Sequence, residues 1–353
     1  MQYPALIIDK DKIKHNTRLL ADKCREHGIN IAGVTKVFCA IPEVAAAMVE
    51  GGASLLADSR VQNLRKLKDM KVPKMLLRIP MLTQVEEVVE LADISLNSEY
   101  ETIRALSEAA LKKGRVHSII LMTDLGDLRE GVWNTEVVEF AGRILELKGV
   151  KLAGLGVNLT CYGGVIPNET NLGQLADIAG QIENRYGIKL DIISGGNSSS
   201  VYLLDKGRMP ERVNQLRLGE SIVLGFETAY GERIPGTHRD AFTFAAEIIE
   251  LKEKPTMPIG EIGMDAFGQK PVFEDRGIRK RAILGAGRQD MRVDGIFPRD
   301  EKITILGASS DHLILDVTDS ARDYKVGDII EFDVNYGGLM AVATSEYVYK
   351  TVK

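Results

Sequence analysis

Residues 31–39 read Ile31-Ala32-Gly33-Val34-Thr35-Lys36-Val37-Phe38-Cys39, an apolar run that breaks off at a basic residue and turns without a glycine. A doubly wound dinucleotide-binding sheet wants a glycine-rich turn after its first strand, because the backbone there must approach a pyrophosphate closely. Lys36-Val37-Phe38-Cys39 holds none, which favours the other large architecture of parallel strands, the closed barrel.

The rest of the chain agrees with a barrel. Short apolar runs recur at Ala53–Ala57, Lys74–Ile79, Ile94–Leu96, Ser118–Thr123, Lys151–Val157, Asp191–Ser194 and Gln215–Leu218, and with Ile31–Val37 they make eight strands. Helix-compatible segments lie between them, at Pro42–Glu50, Arg60–Lys68, Glu99–Lys113, Thr135–Leu147 and Thr170–Tyr186. Such alternation is the pattern of βα units, and eight of them over some 220 residues is the arithmetic of a (β/α)8 barrel. From Phe226 the texture changes to strand-like runs at Phe242–Leu251, Arg281–Gly285, Lys302–Ile305, His312–Val317, Ile329–Asp333 and Glu346–Val352, with no long helical periodicity. The expected fold is α/β: an N-terminal (β/α)8 TIM barrel over residues 1–225 and a C-terminal mostly-β domain over 226–353.

Composition excludes several classes of partner. The chain has 353 residues with 45 Lys+Arg against 50 Asp+Glu, a net charge of −5 that argues against a nucleic-acid partner. The apolar run Ala5-Leu6-Ile7-Ile8 is too short for a membrane span or a signal segment. The three cysteines Cys24, Cys39 and Cys161 form no CxxC pair, so a reducing, cytoplasmic setting is expected. Glycine is abundant, 34 residues against 11 prolines, and its placement matters.

Barrels carry their chemistry at the C-terminal ends of the strands. Lys36 ends the first, where an ammonium is costly unless used or paired. By residue type it is either a lysine that opens a loop or a Schiff-base lysine made nucleophilic by desolvation. Strand seven runs into Ser194-Gly195-Gly196-Asn197-Ser198-Ser199-Ser200, and strand eight into Arg217-Leu218-Gly219-Glu220-Ser221. Glycines and hydroxyls at these two positions suit a phosphate group, which barrels commonly bind there.

A lysine after strand one and a phosphate cradle after strands seven and eight are the two anchors of pyridoxal 5′-phosphate. On these motifs the chain resembles the alanine-racemase-like family, the barrel (fold type III) class of pyridoxal-phosphate enzymes, and most closely its ornithine-racemase-like branch. The resemblance runs over nearly the whole chain. It implies that Lys36 is the Schiff-base lysine and that Arg129, in Asp124-Leu-Gly126-Asp-Leu-Arg129-Glu-Gly131, lies beside the substrate carboxylate. It further implies that Asn158 replaces a histidine packed on the cofactor ring, and that Asn197 and Ser198 form the phosphate-binding Asn-Ser pair. By the same resemblance Arg217 faces the pyridine nitrogen, Gly219 meets the phosphate through its backbone, and Tyr347 binds phosphate from near the C-terminus. Met122 stands where alanine racemases carry a modified lysine.

Racemisation needs proton donors on both faces of a planar carbanion, and Lys36 supplies one. In alanine racemases a partner-subunit tyrosine supplies the other, and Arg288, a poor general acid, occupies its place in Gly285-Ala-Gly287-Arg288-Gln289-Asp290. The candidates for that role are Asp290 and His312, with Asp311, Cys161 and Tyr336 as alternatives, histidine being the type that exchanges protons near neutrality. The expected activity is a homodimeric pyridoxal-phosphate racemase of ornithine or a related basic amino acid, a δ-ammonium being matched by Glu220 or Asp290. Two rival readings are a non-catalytic pyridoxal-phosphate carrier and a same-fold lyase or aldolase. A metal is not expected, since the one pair that resembles a metal site, Asp311-His312, consists of neighbours that would point to opposite faces of a strand.

Overall fold

In the computed structural model, which describes residues 1–353, eight parallel strands close on themselves within Lys10–Arg239. They are β1 (Asn30–Val34), β2 (Leu55–Asp58), β3 (Lys74–Leu76), β4 (Ile94–Asn97), β5 (His117–Asp124), β6 (Val150–Val157), β7 (Ile192–Ser194) and β8 (Gln215–Leu218). Each pairs with the next, and β8 returns to β1 with Arg217 opposite Ala32 and Leu218 opposite Gly33. The period of two along a strand sends Ala32 and Val34, Leu55 and Ala57, and Ile120 and Met122 into one apolar cluster with Met75 and Leu96. Truncating one of its larger members to alanine would cost about 2–5 kcal/mol.

Helices cross between the strands nearly where the sequence places them, at Pro42–Glu50, Val61–Lys66, Tyr100–Lys112, Val137–Leu145 and Glu169–Tyr186. The last starts at Asn168, whose side chain accepts from the Asn171 N–H while Asn171 reciprocates, and it ends at Gly187 in the left-handed region. Two barrel strand ends differ from expectation, the third strand stopping at Leu76 rather than Ile79. The first strand stops at Val34, and Lys36–Phe38 is a 3-10 turn that begins after Thr35 rather than strand.

The second unit comprises Met1–Asp9 and Asp240–Lys353. Its strands run in the order Ile296–Pro298, Ile329–Val334, Phe242–Pro255, Ile278–Leu284, Leu313–Asp316 and Thr304–Ala308, all antiparallel. Ala5–Ile8 also pairs with Phe242–Pro255 and runs parallel to Tyr349–Val352. Phe244 and Phe332 lie at the centre, ring centroids 5.7 Å apart.

The division expected at 225/226 therefore falls elsewhere, at 9/10 and 239/240. The N-terminal run is a β-unit strand because Ala5–Ile8 finds its ladder against Phe242–Ala245. The stretch after Phe226 stays with the barrel because buried Asn16 grips it. The Asn16 amide donates to Ile222 O and His238 O at 2.8 Å each, and its oxygen accepts from the His238 N–H at 2.7 Å. A helix at Tyr336–Thr344 also departs from expectation. Gly337-Gly338 hides it in the sequence, and Gly338 is needed there because a Cβ would come within 2.0 Å of Gly295 O. No helix is long and apolar enough to cross a membrane.

Candidate active site

Lys36 projects, exposed, one residue beyond the β1 corner. The Thr35 N–H donates to Ala57 O at 2.9 Å and its hydroxyl to Asp58 Oδ2 at 2.7 Å, so the residue before the lysine is bonded twice to β2. Asp58 is buried, and burial raises its carboxyl above the usual value against hydrogen bonds from Thr35, the Arg60 N–H and Asn63. Glu220, partly buried at the end of β8, is likewise raised by desolvation, with the charge of Lys36 acting in the opposite sense.

A hydroxyl cradle forms where β7 and β8 end. Ser198 Oγ and Ser221 Oγ lie 3.0 Å apart, and the Ser221 N–H donates to Ser198 Oγ at 3.1 Å. The Asn197 side chain caps the turn Ser198–Ser200 by accepting from the Ser199 N–H at 2.8 Å. Gly219 keeps its backbone bare, since a Cβ there would press on Val34 Cβ at 3.2 Å. The Ser199 hydroxyl is buried without a partner. Adjacent hydroxyls, a glycine backbone without a side chain and an unused buried hydroxyl form a set that suits a phosphate.

Arg217 is sealed inside the barrel, donating from Nη1 to Ser194 Oγ at 2.5 Å and from Nη2 to Val157 O at 2.7 Å. Burial pushes its pKa down to about 10, so the guanidinium remains charged at neutral pH. Arg129 is half-exposed and forks onto its neighbour Glu130. That hydrogen bond is the main reason its own pKa is raised. One orientation of the Asn158 carboxamide accepts from Asn197 Nδ2 at 3.2 Å, and the other accepts from both terminal nitrogens of Arg129 at 3.2 Å. The Cys161 thiol completes the group, 3.4 Å from Asn197 Nδ2 and 3.6 Å from Asn158 Oδ1. Buried Asp127 ties the two loops together by accepting from the Tyr162 and Val165 N–H groups at 3.1 and 3.3 Å.

Lys36, Arg129, Asn158, Asn197, Ser198, Arg217 and Gly219 thus all lie at or just beyond C-terminal strand ends of the barrel unit. Asp290, His312, Tyr336 and Tyr347 belong to the antiparallel unit. Asp290 is buried and its carboxylate is engaged, accepting from the Gly287 N–H at 2.9 Å and from Ser345 Oγ at 3.1 Å. His312 is half-exposed beside Asp311, Nδ1 to Oδ1 3.6 Å. The guanidinium of Arg288 sits 4.5 Å from the Phe267 ring, and Tyr347 is exposed. Met122 is in the apolar bore. Four contributors were not singled out from the sequence: Ser221, Ser194, Thr35 and Asp58. Ser221 carried a signal, a serine opening a helix directly after a Gly at the last barrel strand.

A closed parallel barrel with a lysine beyond its first strand, an arginine buried in its last and a serine cradle beside that arginine defines the alanine-racemase class of barrel proteins. The chain belongs to that family, and the alanine racemase N-terminal domain model matches residues 8–225. It is 52% identical over 349 residues to the ornithine racemase of Acetoanaerobium sticklandii, covering 99% of both chains. To the lysine racemase of Thermotoga maritima it is 41% identical over 352 residues, covering 99% of this chain and 98% of that one. Among solved structures it resembles the alanine racemase of Clostridium difficile 630, with a TM-score of 0.74 at 17% identity over 99% of this chain and 95% of that chain, a likeness of fold.

Proposed function

We propose that this chain is a pyridoxal-phosphate-dependent amino-acid racemase that interconverts L- and D-ornithine or a related basic amino acid by proton transfer at Cα. One observation carries the reading: the lysine, the buried arginine and the paired serines stand at the ends of β1, β8 and β7, which are neighbours in the closed barrel. The two relatives of full length, an ornithine racemase and a lysine racemase, support the basic side chain.

Pyridoxal phosphate, when bound, supplies an aldehyde that captures an amine and a ring that withdraws electrons from Cα. The residues present fit it. Ser198, Ser221 and the bare backbone of Gly219 would hold the phosphate, and Asn158 would pack on the ring. Arg217 would meet the ring nitrogen and, keeping its own proton, would leave the ring a weak electron sink that discourages reactions other than proton return. Arg129, released from Glu130, offers a two-pronged donor to the substrate carboxylate and so fixes which Cα bond is broken.

Lys36 removes and returns the α-proton on one face, and His312 of a partner subunit acts on the other in a homodimer. Asp290, with both oxygens occupied, serves as a positioning residue for the turn that carries Arg288. Glu220 is the carboxylate placed to meet a side-chain ammonium. The three cysteines form no disulfide, which suits a cytoplasmic setting.

The test is incubation with L-ornithine and pyridoxal phosphate in D2O, following optical configuration and deuterium at Cα. Racemisation with deuterium uptake is expected. Retained L configuration without deuterium overturns the assignment, and disappearance of the amino acid replaces it with a lyase.

A further inference from the structure

The turn that carries Lys36 is strained and must be held. Cys39 and Ala40 both adopt the left-handed region, φ 55° and 52°. Without glycine each such residue costs about 1–2 kcal/mol. Three anchors oppose that cost. Val37 and Phe38 are buried, the Lys66 ammonium donates to Cys39 O at 2.8 Å, and Thr35 O accepts from the Ala40 N–H at 3.1 Å, closing the turn on itself. Thr35 is the fixed end, held by its N–H bond to Ala57 O and its hydroxyl bond to Asp58.

Asp58 is expensive in that place. It is fully buried and forms no ion pair, and burial of a carboxylate without a counter-charge requires compensation. Oδ1 alone satisfies the following turn, accepting from the Arg60 N–H at 2.9 Å and from Asn63 Nδ2 at 3.1 Å. Oδ2 goes to Thr35.

We propose that Asp58 is a positioning residue for Lys36, acting through Thr35 to set the corner from which the amine enters the barrel mouth. The inference rests on the reading of Lys36 as the cofactor lysine. A displacement of about 1 Å at a reacting group costs up to about 100-fold in rate, and the two bonds at Thr35 are what prevent it.

The test uses the full chain freed of cofactor, exposed to pyridoxal phosphate for timed intervals and quenched with borohydride, with label on Lys36 and on the other lysines counted by mass spectrometry. Thr35→Val and Asp58→Ala are expected to slow labelling of Lys36 about tenfold or more, with other lysines labelled at unchanged rates. Thr35→Ser, which keeps the hydroxyl, is expected to restore the rate. Asp58→Asn retains a hydrogen bond to Thr35 with donor and acceptor exchanged, and is expected to fall within about threefold of the unaltered chain. Should Asp58→Ala fail to fold, the Thr35 pair decides the matter. Folded Thr35→Val labelled at the unaltered rate overturns the positioning role alone. An unaltered chain that takes no label on Lys36 overturns the cofactor reading, and the inference with it.

Discussion

Ser198 and Ser221, 23 residues apart in the chain, place their hydroxyls 3.0 Å from each other, and the Ser221 N–H points to the Ser198 oxygen. A pair of buried hydroxyls bonded to each other keeps one O–H donor free for an anion. Replacing Ser198 with alanine removes one donor and should raise the dissociation constant for pyridoxal phosphate about tenfold, roughly 1.4 kcal/mol. Pyridoxal without the phosphate should bind both proteins alike. Absorbance titrations with the two ligands check this, and an equal loss for both would place the phosphate elsewhere.

Glu220 should select the substrate. Its carboxyl titrates above the usual value because it is desolvated, and the Lys36 charge limits the rise. As pH falls through that raised value the carboxylate is protonated and its hold on a cationic side chain is lost, so KM for ornithine should climb on the acid side. Glu220→Gln should raise KM about tenfold at neutral pH, a loss of roughly 1.4 kcal/mol, leave kcat within a few-fold and flatten the KM profile. An unchanged KM in the glutamine variant would remove Glu220 from recognition.

Buried His117, hydrogen-bonded to Ser95 Oγ at 2.8 Å, makes the barrel acid-sensitive. Burial depresses its pKa from 6.5 to about 4. The unfolded chain therefore binds the extra proton more readily than the folded one between those values, and stability falls as pH drops through that window. The contribution present above pH 6.5 is at most about 3 kcal/mol. Urea melts at stepped pH should show the loss in that window, and it should be largely absent from a folded His117→Gln variant.

The fold was legible where short-range pattern and packing agree. β5, at His117–Asp124, is β-branched and buried on both sides, and such runs read clearly as strands. Ala5–Ile8 was equally apolar, but its partner lies some 240 residues away, and no local signal says which unit a strand joins. The cradle was legible because Gly-Ser turns fall where barrels bind phosphate, whereas Asp58 was not. Its meaning lies in one hydrogen bond to a residue 23 positions earlier, a contact that neither residue's neighbours announce. The surroundings of Asp290 are hidden for a related reason. An aspartate in a glycine-rich turn looks like an available acid until Gly287 and Ser345 are seen to occupy it.

That occupancy separates the two candidates for the second face. An asparagine at position 290 can still accept from Gly287 and donate to Ser345, so Asp290→Asn should cost no more than about 1–2 kcal/mol of stability and keep most of the racemisation rate. Asp290→Ala leaves the Gly287 N–H without its buried acceptor and should be the less stable of the two. The His312 ring carries no such engagement beyond Asp311, so under the proposed mechanism its loss should remove proton transfer rather than structure. With Lys36 intact, His312→Gln should slow inversion by about 100-fold or more. It should nevertheless continue to exchange the α-proton of one enantiomer for deuterium, because Lys36 removes and returns the proton on its own face. Deuterium uptake with retained configuration, in one enantiomer only, is the signature of a missing second base. Chiral chromatography with mass detection in D2O reads it directly, and inversion at the unaltered rate in His312→Gln would move the role to another residue, with Cys161→Ala the next variant to make.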